Sequence, residues 1–296
     1  MFKISEFNIL NTAPRRIEVI DYGVQMIGAP LEWKETMGEG IKVGVIDTGV
    51  DINHEDLKDR VAEYMDFTDD NSLEDFNGHG THVCGIIGAS LNGVGVVGVA
   101  PKCSLYVAKA FNEDGTAKDG AIVRAMRWLI SKNVQIINMS FASEQPVSEL
   151  YEAVKEAYRK DIVLIGAAGN SGSDKENTIG YPAKWKEVVA VTAVDIDKNY
   201  AEFSSAGKEA RLAAAGIAIY STFPHNTYRA LSGTSMASPL IAGAAAILQS
   251  KARMRFKRFL TPHEIGTVMG IYADDLGNKG RDERYGYGVF SFGRIN

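Results

Sequence analysis

The chain has 296 residues but only two cysteines, Cys84 and Cys103. Two cannot make a disulfide framework; they allow one bridge at most and fit a reducing compartment. No apolar run approaches the roughly 20 residues needed to cross a bilayer, so no membrane contact is expected. Residues 1–20 lack a basic stretch followed by an apolar core, which argues against a secretory signal. Positive charge is not in excess: Lys and Arg number 32 against 37 Asp and Glu, a net charge of -5. That excludes the broad basic footprint of a nucleic-acid binder. There is no Cys-x-x-Cys pair and no His-Glu-x-x-His, so the common zinc spacings are missing. No fixed-period repeat and no low-complexity linker appears. The expectation is a cytoplasmic protein with an N-terminal extension over 1–20 and one domain over 21–296.

What is present is ordinary globular material, 45% hydrophobic and 23% charged. Ile41 to Ile46 is a short apolar run of the kind that forms a buried parallel strand. Further strands are expected over 104–108, 134–139, 162–167 and 188–194, with helices over 120–132 and 147–160. Strands separated by helical stretches of this length predict βαβ units. Right-handed crossovers then put helices on both faces of the sheet. The fold class is therefore α/β, three-layered, with a largely parallel central sheet flanked by helices.

Three stretches concentrate chemistry. The first strand ends in Asp47-Thr48-Gly49, and open α/β sheets place ligands and reactions at the carboxyl ends of strands. A turn aspartate is the plainer reading. Next comes Asn77-Gly78-His79-Gly80-Thr81-His82. Its histidines are three apart, so on a helix they would share a face, as metal ligands do. Glycines on either side of His79 let backbone or substrate approach closely. Last is Gly233-Thr234-Ser235-Met236-Ala237-Ser238-Pro239, heading a small-residue run from Leu240 to Gln249. A helix this smooth can be buried on all sides. A serine in its first turn has unpaired N–H groups beside it and the positive end of the helix dipole behind it. That suits a nucleophile whose attack creates an anion, although serine also serves as a plain helix cap. A hydroxyl, an imidazole and a carboxylate are what acyl transfer requires. The order Asp, His, Ser is that of subtilisin, whereas α/β-hydrolases run Ser, Asp, His. A lipase elbow, Gly-x-Ser-x-Gly, is missing because Gly233-Thr234-Ser235-Met236-Ala237 ends in alanine.

These blocks resemble the signature segments of subtilisin-like serine proteases. Ala167-Ala168-Gly169-Asn170 resembles the same family's oxyanion block, and the likeness runs from about Tyr22 to about Gly288. The resemblance implies that Ser235 is the nucleophile, His79 the general base and Asp47 the group that orients it. Asn170 would hold the oxyanion; taken alone it reads as a left-handed turn residue after Gly169. His82 would be a packed structural histidine. An extended peptide would lie between Gly115-Thr116-Ala117 and Ser140-Phe141-Ala142, mainly through main-chain hydrogen bonds. The primary pocket would be walled by Ala168 and Gly169 and floored near Gly180. The bare floor favours a broad, or a large apolar or aromatic, preference.

The resemblance also implies a structural calcium ion, held by Asp56, by Asn92 and the carbonyls of Val94 and Val96, and by Glu18. Hard oxygen donors of this kind suit calcium. A weaker cation position would use the carbonyls of Ala183 and Trp185. Some residues depart from the family pattern. Ala142 and Ser143 stand where two glycines are usual, which narrows the groove. Cys84 replaces an alanine just after His82-Val83, which hints at sensitivity to mercurials. A short extension matches the intracellular subtilisins, in which it lies across the active site until cleaved. Their Leu-Ile-Pro-Tyr element is replaced here by Asn8-Ile9-Leu10-Asn11-Thr12-Ala13-Pro14. Protein or peptide substrates and a homodimer are implied. The competing roles are general turnover, maturation of one dedicated protein, and a catalytically silent binding protein on the same fold.

Overall fold

Short runs of β-branched and aliphatic residues form the strands, and longer amphipathic or small-residue runs form the helices. The computed structural model describes residues 2–4, 10–11, 17–70, 72, 74–174 and 176–294. In chain order the elements are β1 (Phe2–Lys3), β2 (Leu10–Asn11), α1 (Tyr22–Ile27), α2 (Ala29–Glu32), β3 (Lys42–Asp47), β4 (Val61–Asp66), α3 (His79–Gly88), β5 (Ser104–Lys109), β6 (Thr116–Ala117), α4 (Asp119–Ser131), β7 (Ile136–Met139), α5 (Ser148–Arg159), β8 (Val163–Ala167), β9 (Val188–Val194), β10 (Ala210–Ala215), β11 (Ile219–Phe223), β12 (Thr227–Leu231), α6 (Thr234–Phe256), α7 (Pro262–Ile271), β13 (Ala273–Asp274) and β14 (Val289–Phe290).

Nine strands form one sheet in the order β13-β14-β10-β9-β8-β7-β3-β5-β4. Every pairing is parallel except that of β13 with β14. Strand residues alternate between the two faces. On β3, Val43 and Val45 join the cluster built on α3 and α6, while Ile46 joins the one built on α4 and α5. α5 buries Leu150, Ala153, Val154 and Ala157, a helical stripe turned to the sheet. The three-layer expectation holds.

The small-residue run lies inside α6, which opens at Thr234 and continues to Phe256, past the end of the run at Gln249. A Cβ on Gly243 would stand 2.5 Å from the Val99 Cβ and 3.3 Å from the Ile87 carbonyl oxygen. The helix is bare there because α3 and the chain after it press directly on its backbone. The sequence pattern does not announce the edge strand β4 or the antiparallel hairpin of β11 and β12. Two pieces of the extension also have partners. β1 pairs antiparallel with β6, and β2 with β12. Residues 5–9 and 12–16, which include most of the Asn8 to Pro14 stretch, lie outside the described residues.

Candidate active site

Asp47 is the last residue of β3 and is fully buried. His79 is the first residue of α3. They meet because Gly80 lets α3 start against the end of β3; a Cβ on Gly80 would stand 2.2 Å from the Gly49 carbonyl oxygen. The Asp47 Oδ1 lies 2.7 Å from His79 Nδ1. A carboxylate can only accept, so the bond fixes the proton on Nδ1 and leaves Nε2 as the basic nitrogen. Asp47 Oδ1 is itself held by the Thr48 N–H at 2.8 Å.

A second buried carboxylate, Asp75, sets the start of α3. It accepts from the Gly78 N–H, the Thr81 N–H and the Thr81 hydroxyl, and also from the Thr48 hydroxyl at 2.8 Å. It thus ties the residue after Asp47 to the turn that carries His79. Sequence reasoning missed Asp75, although an aspartate shortly before a helix start is a capping signal.

His82 is engaged by the hairpin of β11 and β12. Its Nε2 lies 3.0 Å from the carbonyls of Ile219 and Arg229 on the hairpin, and burial lowers its pKa to about 3. It is a neutral packed histidine, as the resemblance implied. Among the described residues, no group of three or more His, Cys, Asp or Glu side chains is placed to hold a metal.

Ser235 is the second residue of α6, where amides have no acceptor within the helix. Gly233 precedes it at φ 153° and ψ 161°, a conformation that glycine adopts and residues with a Cβ avoid. Pro239 removes the N–H that would bond the Ser235 carbonyl four residues back. The Ser140 hydroxyl takes that place at 3.0 Å, and the Ser235 hydroxyl is turned to the Ser140 carbonyl at 2.9 Å.

Asn170 also comes to this turn. Its Oδ1 accepts from the Thr234 N–H at 3.0 Å and the Thr234 hydroxyl at 2.9 Å. With the acceptor half engaged, the Nδ2 half is left as donor, 3.1 Å from where a Cβ on Gly233 would stand. The left-handed residue of the turn is Gly169, at φ 109°, and not Asn170.

The residues expected to grip a peptide form two facing edges, and β1 lies between them. Phe2 is paired with Ala117 and Lys3 with Thr116. The Lys3 N–H donates to the Ala142 carbonyl at 3.4 Å, and the Ile4 N–H to that of Gly115 at 3.0 Å. Phe2 is fully buried, edge-on to Phe141 with ring centroids 5.5 Å apart. Ala168, Gly169 and Gly180 are all buried behind Ala142.

These four blocks sit at the carboxyl ends of parallel strands or at helix starts, and the subtilase family profile matches residues 38–288. The chain belongs to the subtilase family. As a subtilase it is a serine peptidase of the subtilisin type. It is 41% identical over 279 residues to a protein named "Intracellular serine protease" of Paenibacillus polymyxa, covering 92% of this chain and 86% of the relative. It is 46% identical over 237 residues to "Subtilisin DY" of Bacillus licheniformis, covering 79% of this chain and 86% of that one. With "Major intracellular serine protease" of Bacillus subtilis (strain 168), identity is 40% over 252 residues, 82% of this chain and 79% of the relative. No helix among the described residues is long and apolar enough to cross a membrane.

Around Asp56 the subtilase places the loop from Asn92 to Val97. Asp56 accepts from the Asn92 amide at 2.8 Å, the Val96 N–H at 3.0 Å and the Tyr228 hydroxyl at 3.0 Å. Glu18 accepts from the N–H groups of Asn92 and Gly93 at 2.8 and 3.0 Å. Burial pushes the Asp56 pKa up, and no Lys or Arg side chain bonds to it among the described residues. Both thiols are fully buried, Cys84 with its pKa raised well above the usual value and Cys103 raised to about 12. Cys84 therefore presents no surface to a mercurial in this structure.

Proposed function

We propose that this subtilase hydrolyses internal peptide bonds of proteins or peptides through an acyl-enzyme on Ser235. The observation that carries the reading is the 2.7 Å contact of Asp47 with His79 Nδ1, which leaves Nε2 basic on a helix packed against α6. In this mechanism the Ser235 hydroxyl leaves the Ser140 carbonyl and attacks the scissile carbonyl carbon as His79 Nε2 takes its proton. Asp47 holds the ring and stabilises its cation. The oxyanion is met by Asn170 Nδ2 and the Ser235 N–H. On collapse, His79 gives the proton to the departing amine. A water molecule, deprotonated by the same imidazole, then releases the acid product and restores the serine. The recognition is mainly through main chain, at the edges now paired with β1.

A fluorophosphonate probe tests the reading. It should label the wild type on Ser235 and leave Ser235→Ala unlabelled. No labelling of either the full chain or a chain beginning at Ile17 would point instead to a silent binding protein on this fold.

The N-terminal segment reads as an inhibitor in cis. β1 uses the hydrogen-bonding groups a substrate would need, so both cannot be seated together. Calcium is proposed at Asp56. Two carboxylates, an amide oxygen and backbone carbonyls make a hard oxygen set. Asp56 is buried with no Lys or Arg bonded to it among the described residues. Asp56, Asn92, Glu18 and the carbonyls of Val94 and Val96 would hold the ion, which would neutralise the buried carboxylate and brace the loop. The names of the relatives favour an intracellular, cytoplasmic enzyme, and a homodimer is the assembly that goes with that group. Sedimentation of the full chain checks the latter.

A further inference from the structure

Gly180 taken alone argues for an open floor under the primary pocket, fit for a large apolar side chain. The structure gives that floor a cover. A Cβ built on Gly180 would stand 2.9 Å from the Ala142 Cβ, and one built on Gly169 would stand 3.6 Å from it. The single methyl of Ala142 therefore fills the gap between the wall at Gly169 and the floor at Gly180. The far side is stitched shut. The Ser143 N–H donates to the Tyr181 carbonyl at 2.9 Å, and the Tyr181 N–H returns a bond to the Ser143 carbonyl at 2.8 Å. The Gly180 N–H is bonded to the Ala168 carbonyl at 2.9 Å, which fixes floor to wall. Ala168, Gly169 and Gly180 are buried as a result.

We infer that Ala142 is a specificity-determining residue, and that its methyl limits the residue just before the scissile bond to glycine, alanine or serine. The inference rests on the serine-peptidase reading above. It is a matter of shape: a large side chain would have to displace the methyl and part the Ser143–Tyr181 pair of backbone hydrogen bonds. A small one leaves both in place. The remaining affinity then comes from main-chain pairing and from subsites further along the groove, such as the aromatic nest around Phe141 that holds Phe2.

The experiment uses the full chain and peptide nitroanilides that differ only in the residue before the cleaved bond: Ala, Ser, Leu, Phe or Lys. Active sites are first counted with the fluorophosphonate probe, so rates refer to competent enzyme. Wild type should prefer Ala or Ser over Phe by about tenfold or more in kcat/KM, within the range that one or two methylene groups command in an apolar pocket. Ala142→Gly should raise the Phe-to-Ala ratio by about tenfold, a change that mere loss of folded protein cannot produce because it lowers both rates alike. Labelled enzyme that cleaves after Phe or Leu as fast as after Ala, or an unchanged ratio in Ala142→Gly, overturns the inference and leaves the peptidase reading intact. Absence of labelling in both the full chain and a chain beginning at Ile17 removes the peptidase reading and this one with it.

Discussion

Ser140 and Ser235 exchange hydrogen bonds: each hydroxyl donates to the other's carbonyl, at 3.0 and 2.9 Å. The first of these exists because Pro239 cannot supply a helical N–H. Ser140 is also bonded to Asn138 and Ser238, so it anchors β7 to the start of α6. Ser140→Ala leaves a buried carbonyl without a donor. It should cost about 1–3 kcal/mol of stability, read as a lower melting temperature, and should lower kcat more than it raises KM.

Asn170→Ala removes the proposed oxyanion donor along with the acceptor for Thr234. Turnover should fall by about 10²–10³ with little change in KM, the size of the loss known for the oxyanion asparagine of subtilisin, a member of this same family. Steady-state kinetics on one peptide substrate is sufficient. An unaffected kcat would remove Asn170 from the mechanism.

Asp21 caps α1 and accepts from the Gly23 and Tyr220 N–H groups at 2.7 and 3.0 Å. Burial raises its pKa from 3.8 to about 6. A folded pKa above the unfolded one means that the group's stabilising contribution is complete below pH 3.8 and is lost as pH rises through about 6. The gap corresponds to about 3 kcal/mol. Relative to Asp21→Asn, the wild type should therefore weaken by most of that amount between pH 4 and pH 8. Urea unfolding of both proteins at the two pH values reads the difference directly.

Calcium added to the full chain should raise the melting temperature, by an amount equivalent to about 2.7 kcal/mol at a hundredfold excess over the dissociation constant. Asp56→Asn should abolish most of that response while retaining the bond to the Val96 N–H. A chelator that leaves the wild-type melt unchanged argues against the ion.

A chain beginning at Ile17 lacks β1 and should cleave peptides faster than the full-length protein. Adding back a peptide of residues 1–16 should slow it again. Equal rates would show that the groove is open to substrate while β1 is present.

Much of the fold and site is legible in the sequence where one residue's neighbours decide its setting. Asp47 follows an unbroken apolar run, and Ser235 precedes a run with no bulk, so local pattern alone places the strand end and the helix start. The parallel sheet follows from the alternation of strands and helices. What stays hidden depends on contacts between distant segments. β4 reads Val-Ala-Glu-Tyr-Met-Asp, a polar edge whose strand character comes from pairing with β5. The hairpin of β11 and β12 turns at His225 and Asn226, both at positive φ, with no glycine to announce it. The role of His82 is settled by two carbonyls more than a hundred residues away. The neighbour of Gly180 is hidden for the same reason: a Cβ there would stand 2.9 Å from that of Ala142, which no local pattern connects to it.

The leading segment is fastened at three separate points. β1 sits in the groove, β2 lies along the hairpin edge, and Val19 is laced to Gly95 and Val97 beside Asp56. A nick between Ile4 and Leu10 would free only the first fastening. The stub beginning at the second would remain tethered to the body of the enzyme, so severing the segment and shedding it are distinct events.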